Sequence, residues 1–61
     1  MNNIPTLLKE REMSVYRLAQ IAEIDCTTLY KIAKSYPIKA HWRTMVKISK
    51  ALSVKIDALE D

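Results

Sequence analysis

Two helix-opening residues, Ser14 and Asp25, flank a run with room for one short helix and a sharp corner. That spacing constrains the fold more than any other feature of the chain. The run continues to Ser35 and reads SVYRLAQIAEIDCTTLYKIAKS. A serine hydroxyl accepts from a backbone N–H that the first turn of a helix leaves unpaired, so Ser14 predicts a helix start. Leu18, Ala19 and Ala22 then recur at helical spacing, with Arg17, Gln20 and Glu23 off the stripe. Asp25 opens a second helix in the same way, with Leu29 and Ile32 as its apolar positions. Only Glu23-Ile24-Asp25 lies between the two, and Ile24 is the apolar peg of the corner. Steeply crossing helices leave no room for a large side chain at their closest point, which the small Ala19 satisfies.

The remaining chain extends this hairpin into one small all-α domain, residues 1–61. No alternation of β-branched residues marks a strand. Helix 1 is predicted from near Asn3–Pro5, with Asn3 as cap, to about Arg11, and Ile4, Leu7 and Leu8 face inward. Met13 closes its corner. Helix 2 is predicted over Val15–Ala22 and helix 3 over Cys26–Lys34. Pro37 ends helix at Tyr36, so residues 35–41 form a loop. Helix 4 runs from about Trp42 to Leu52, with Trp42, Met45, Ile48, Ser49 and Leu52 on one stripe. Trp42 is expected to anchor the core rather than to stack on a base. Val54, Ile56 and Leu59 form a last short turn of helix over the core.

Charge is distributed unevenly. The net charge is +3, yet from Cys26 to Ile56 there are seven bases and no acid. Those bases are Lys31, Lys34, Lys39, Arg43, Lys47, Lys50 and Lys55. A solvated helix surface mixes both signs, whereas an acid-free basic block is the footprint of a phosphate-binding face.

At the Ser14–Ser35 hairpin the chain resembles the helix-turn-helix of the phage repressor and Cro-type (xenobiotic-response-element type) DNA-binding regulators. The resemblance continues through TMVKISKALSVKIDAL, Thr44–Leu59, and so covers nearly the whole chain. It implies a lambda-repressor-like bundle of about five short helices, with helix 3 lying in the major groove of double-stranded DNA. Carried over position by position, the base-reading residues are Cys26, Thr27, Tyr30 and Lys31. Phosphate contacts fall to Ser14, Arg17, Thr28, Lys34, Lys39, His41 and Arg43. Otherwise, Thr27 and Thr28 read as first-turn residues beside a cap, Tyr30 as a half-buried aromatic under the loop, and Cys26 as a small residue in a crowded turn.

The chain departs from this family in three respects. It contains no glycine, and the family's glycine positions hold Glu12, Glu23, Ser35 and Ser53. At least one of Glu23, Ser35 and Ser53 is therefore expected at positive φ. The Arg–Glu pair that many phage repressors bury is replaced by Leu8 and Ala33, both apolar, which leaves no stranded charge. Val15 stands where the family often carries a phosphate-binding Gln.

These observations point to a sequence-specific transcriptional regulator of phage or mobile-element type, with two subunits on paired half-sites. A rival reading keeps the fold but binds a protein, as an antitoxin-like or anti-repressor-like module; Glu23 and Val15 favour it. No catalytic constellation is present, and Cys26 and His41 alone do not make a zinc site. No enzyme activity, cofactor, metal or small-molecule substrate is expected. One cysteine and the lack of a leader or membrane span point to the cytoplasm.

Overall fold

The computed structural model describes residues 2–60. Four α-helices follow in order: α1 (Ile4–Glu10), α2 (Val15–Ala22), α3 (Cys26–Lys34) and α4 (Trp42–Leu52). A single 3-10 turn, Ile56–Leu59, stands where a fifth helix was expected. It stays short because Glu60 extends (φ −148°, ψ 129°) and pairs with Asn2 in an isolated antiparallel bridge. No strand forms among the described residues.

The two expected caps are present. Ser14 Oγ accepts from Arg17 N at 3.0 Å, and Asp25 Oδ2 accepts from Thr28 N at 3.1 Å. α2 packs against both α3 and α4, which places the hairpin at the centre of the domain. Leu18 and Ala19 of α2 meet Leu29, Ile32 and Ala33 of α3, Ile48 and Leu52 of α4, and Leu59 in one core. Ile4 and Leu8 of α1 complete it. Leu8 and Ala33 thus share a core that contains no charged residue.

The helix ends show how a chain without glycine turns its corners. Glu12, Glu23 and Ser53 have φ of 51°, 56° and 57°, the left-handed region. Each is the pivot of the same motif. Behind α2, Glu23 N donates to Gln20 O (3.3 Å) and Ile24 N to Ala19 O (2.9 Å). Behind α4, Ser53 N donates to Lys50 O (3.2 Å) and Val54 N to Ser49 O (3.0 Å). Behind α1, Glu12 N donates to Lys9 O (3.1 Å) and Met13 N to Leu8 O (2.9 Å). These are Schellman closures, which ordinarily place glycine at the pivot. The residue after each pivot, Met13, Ile24 or Val54, packs against the core.

Ser35, the remaining glycine position, differs. Its φ is −83° and ψ 150°, ordinary extended backbone. α3 is closed by a side chain instead. The Asn2 amide nitrogen lies 2.8 Å from Ile32 O, 3.1 Å from Ala33 O and 2.7 Å from Ser35 O. With these carbonyls already partnered, Ser35 has no need of the left-handed turn.

Two further expectations are corrected. Asn3 does not cap α1 with its side chain (φ −91°, ψ 0°). Asn2 Oδ1 accepts from Ile4 N at 3.0 Å instead, and the Asn3 amide donates to Ala58 O at 3.1 Å. Trp42 is no core anchor: it is 70% exposed. The loop before α4 supplies Ile38 and Ala40 to the edge of the core, so the first turn of α4 stands clear of it.

A non-glycine residue in the left-handed region costs about 1 kcal/mol. Glu23→Gly and Ser53→Gly should therefore each stabilise the fold, by up to about 1 kcal/mol after the entropy that glycine adds to the unfolded chain. Chemical denaturation of both variants measures this. A loss of stability in both would show that the pivots are unstrained.

Candidate nucleic-acid interface

The placement of α3 follows from its two ends. Asp25 fixes the start and Asn2 holds the finish, while Leu29, Ile32 and Ala33 are buried beneath. At 3.6 residues per turn this leaves Cys26, Thr27, Tyr30, Lys31 and Lys34 on the outer side, and all five are exposed. Tyr30 is 51% exposed rather than packed beneath the loop. Lys34 Nζ stands 4.1 Å from the centre of its ring. This cation–π contact holds a phenol and an ammonium side by side.

The loop after α3 carries Lys39 and His41 and is tied back to the domain. Ser35 Oγ donates to Ile32 O at 2.9 Å and accepts from Lys39 N at 3.4 Å. The Glu60 carboxylate accepts from the backbone N–H of Ile38. Lys39 and His41 thereby line one groove with Thr28 and Lys31 of α3 and Thr44 of α4. His41 and Thr44 also line a second groove with Trp42, Arg43 and Lys47. The two grooves share a wall and contain no acid.

The structure brings together Thr28, Lys31, Lys39 and His41, and sets Arg43 next to them. Ser14 and Arg17 lie apart on α2, outside both grooves. The Ser14 oxygen accepts the cap bond, which leaves its O–H free to donate outward. Thr28 Oγ1 lies 3.4 Å from Asp25 Oδ2, so its hydroxyl is engaged within the cap. Val15 is half-buried against the core, which explains an apolar residue there.

Neither Trp42 nor Lys47 is among the DNA-contacting residues expected from the sequence. Lys47 belongs to the basic block, but only the fold shows that it shares a groove with Arg43. Trp42 was misplaced because its spacing to Met45 fits an apolar stripe. Among the described residues no group of three or more His, Cys, Asp or Glu could hold a metal ion. No helix is long and apolar enough to cross a membrane.

A capped α2–turn–α3 unit with an exposed, cation-rich outer helix face defines a helix-turn-helix DNA-binding domain. The family model described as the Cro/C1-type HTH DNA-binding domain matches residues 3–60. The chain belongs to this family. No curated protein and no solved structure gave a match.

Removing the Asn2 side chain leaves the carbonyls at the end of α3 without these donors. Asn2→Ala should lower stability by about 1–2 kcal/mol and raise amide exchange at Ser35 and Ile38–Lys39. Denaturation and hydrogen exchange on the free protein check this. Unchanged exchange across residues 35–39 would show that Asn2 does not hold this end.

Proposed function

We propose that the chain is a sequence-specific transcriptional regulator of phage or mobile-element type, with α3 in the major groove of duplex DNA. It acts by occluding promoter DNA, with two subunits on paired half-sites. A single module of this kind covers roughly 600–1,000 Å² on DNA, too little for high affinity alone. The observation that carries this reading is the outer side of α3, exposed and free of acids, continuous with two cationic grooves.

The roles divide by position. Thr27 and Lys31 lie one turn apart on α3, opposite Leu29 and Ile32. A threonine offers a hydroxyl to a base and a methyl to thymine, and a lysine donates to guanine O6 and N7. Cys26 and Tyr30 flank them on the base side. Lys34, Lys39, His41 and Arg43 meet phosphates around this face, and Ser14 and Arg17 do so from α2. Thr28 sits at the same edge, its hydroxyl already turned to Asp25. The chemistry asked of these groups is binding alone, in the cytoplasm, without cofactor or metal.

Thr27→Ala and Lys31→Ala should each cost about 1–3 kcal/mol on the cognate site and much less on scrambled duplex. Lys39→Ala and Arg43→Ala should weaken both duplexes alike. With 4–5 phosphate contacts per subunit, log K should fall against log salt with a slope of roughly −4. Titration of the four variants at several salt concentrations reads all of these. If Thr27 and Lys31 behave like Lys39, α3 does not read bases. Binding indifferent to salt would favour the protein-interaction role.

A further inference from the structure

The fold leaves its one tryptophan largely outside the core. Trp42 opens α4 and is 70% exposed, while the residues that share its groove are His41, Arg43, Thr44 and Lys47. No acid lines this groove, and through His41 and Thr44 it adjoins the groove that reaches Lys31 on α3.

An exposed indole beside Arg43 and Lys47 selects its partner by chemistry. The partner must carry negative charge for Arg43 and Lys47 and offer a flat or apolar surface for the ring. A second copy of this chain fits poorly. A two-fold contact through this patch would set Arg43 and Lys47 against their own counterparts, like charge on like. An acidic peptide meets the charge requirement but offers the ring an apolar face only where apolar side chains fall between its carboxylates. A DNA strand meets both, since deoxyribose alternates with phosphate along its edge.

We propose that Trp42 packs on the sugar–phosphate backbone flanking the bases read by α3, and so lengthens the footprint on DNA beyond the reach of that helix. This rests on the reading of the chain as a duplex-binding domain and adds a contact to it. Arg43 and Lys47 hold the phosphates on either side, while the indole excludes water from the sugar between them. The contact is apolar, so it adds affinity on any sequence and releases no counterion.

The test uses the intact chain, whose sole tryptophan reports without labelling. A fluorescent mixed-sequence duplex at low salt gives binding by anisotropy, and acrylamide quenching of the indole gives its access to solvent. Quenching should fall as the duplex saturates, and poly-glutamate at equal charge should leave it unchanged. Trp42→Ala should weaken duplex binding about tenfold with the salt slope unaltered, and Trp42→Phe should recover most of the loss. Arg43→Ala should reduce the slope by about one.

Duplex binding with the indole still fully quenchable would overturn the contact and leave the reading of α3 intact. Equal protection by poly-glutamate, or protection that rises with protein concentration alone, would overturn it in favour of an acidic protein or a second copy. Absence of any duplex binding would remove the reading and the contact together.

Discussion

Three corners of this domain turn through left-handed residues that carry a Cβ, and the rest of the structure depends on those corners. Glu12, Glu23 and Ser53 each accept a strain of about 1 kcal/mol. Each corner closes two backbone hydrogen bonds, worth about 1 kcal/mol apiece, and delivers Met13, Ile24 or Val54 to the core. Partial burial of such side chains contributes about 1–2 kcal/mol more. The gain exceeds the strain at every corner, so the turns keep their geometry although glycine is gone. A rebuilt corner behind α2 would swing α3 away from α4 and dismantle the two grooves.

The fourth helix end, that of α3, is held by the chain termini. Asn2 uses both halves of its amide: the oxygen receives the first N–H of α1, and the nitrogen serves the last carbonyls of α3. Asn3 N donates to Leu59 O at 2.8 Å, which knits the N-terminal segment to the C-terminal turn. Glu60 then reaches the loop at Ile38. Arg11 serves the end of α4 similarly, with Nε 3.0 Å from Leu52 O. Its exposed contact with Glu10 at 3.8 Å adds little by comparison, since surface ion pairs contribute about 0–1 kcal/mol. Helix ends far apart in sequence are thereby fastened to one another, and the helix proposed to read DNA is gripped at both ends.

Much of this was legible in the sequence, for local reasons. The caps at Ser14 and Asp25 depend on residues three apart, and α2 and α3 begin and end at the predicted residues. The resemblance to the repressor family predicts positive φ for at least one of Glu23, Ser35 and Ser53, and Glu23 and Ser53 adopt it. What the sequence hid was long-range. Nothing local marks Asn2 as a partner of Ile32 and Ser35, so Ser35 looked like a fourth left-handed pivot. Trp42 sits at helical spacing from Met45, and only the path of the loop, with Ile38 and Ala40 filling the edge of the core, reveals that the indole is outside. The last helix shortens to a single 3-10 turn because Glu60 leaves it to pair with Asn2. The two grooves were invisible for the same reason, since α3, the loop and α4 each contribute part of the walls.

The central claim is that the outer side of α3 and the adjoining grooves form one DNA-facing surface. Amide chemical shifts, followed by NMR through a titration with the duplex upstream of the protein's own coding sequence, test it most directly. Large shifts should cluster in Cys26–Lys31 and Lys39–Lys47, with α1 and the closing turn unmoved. Shifts absent from those segments and centred instead on Ile21, Glu23 and Ala51, which line a separate groove between α2 and α4, would contradict the account.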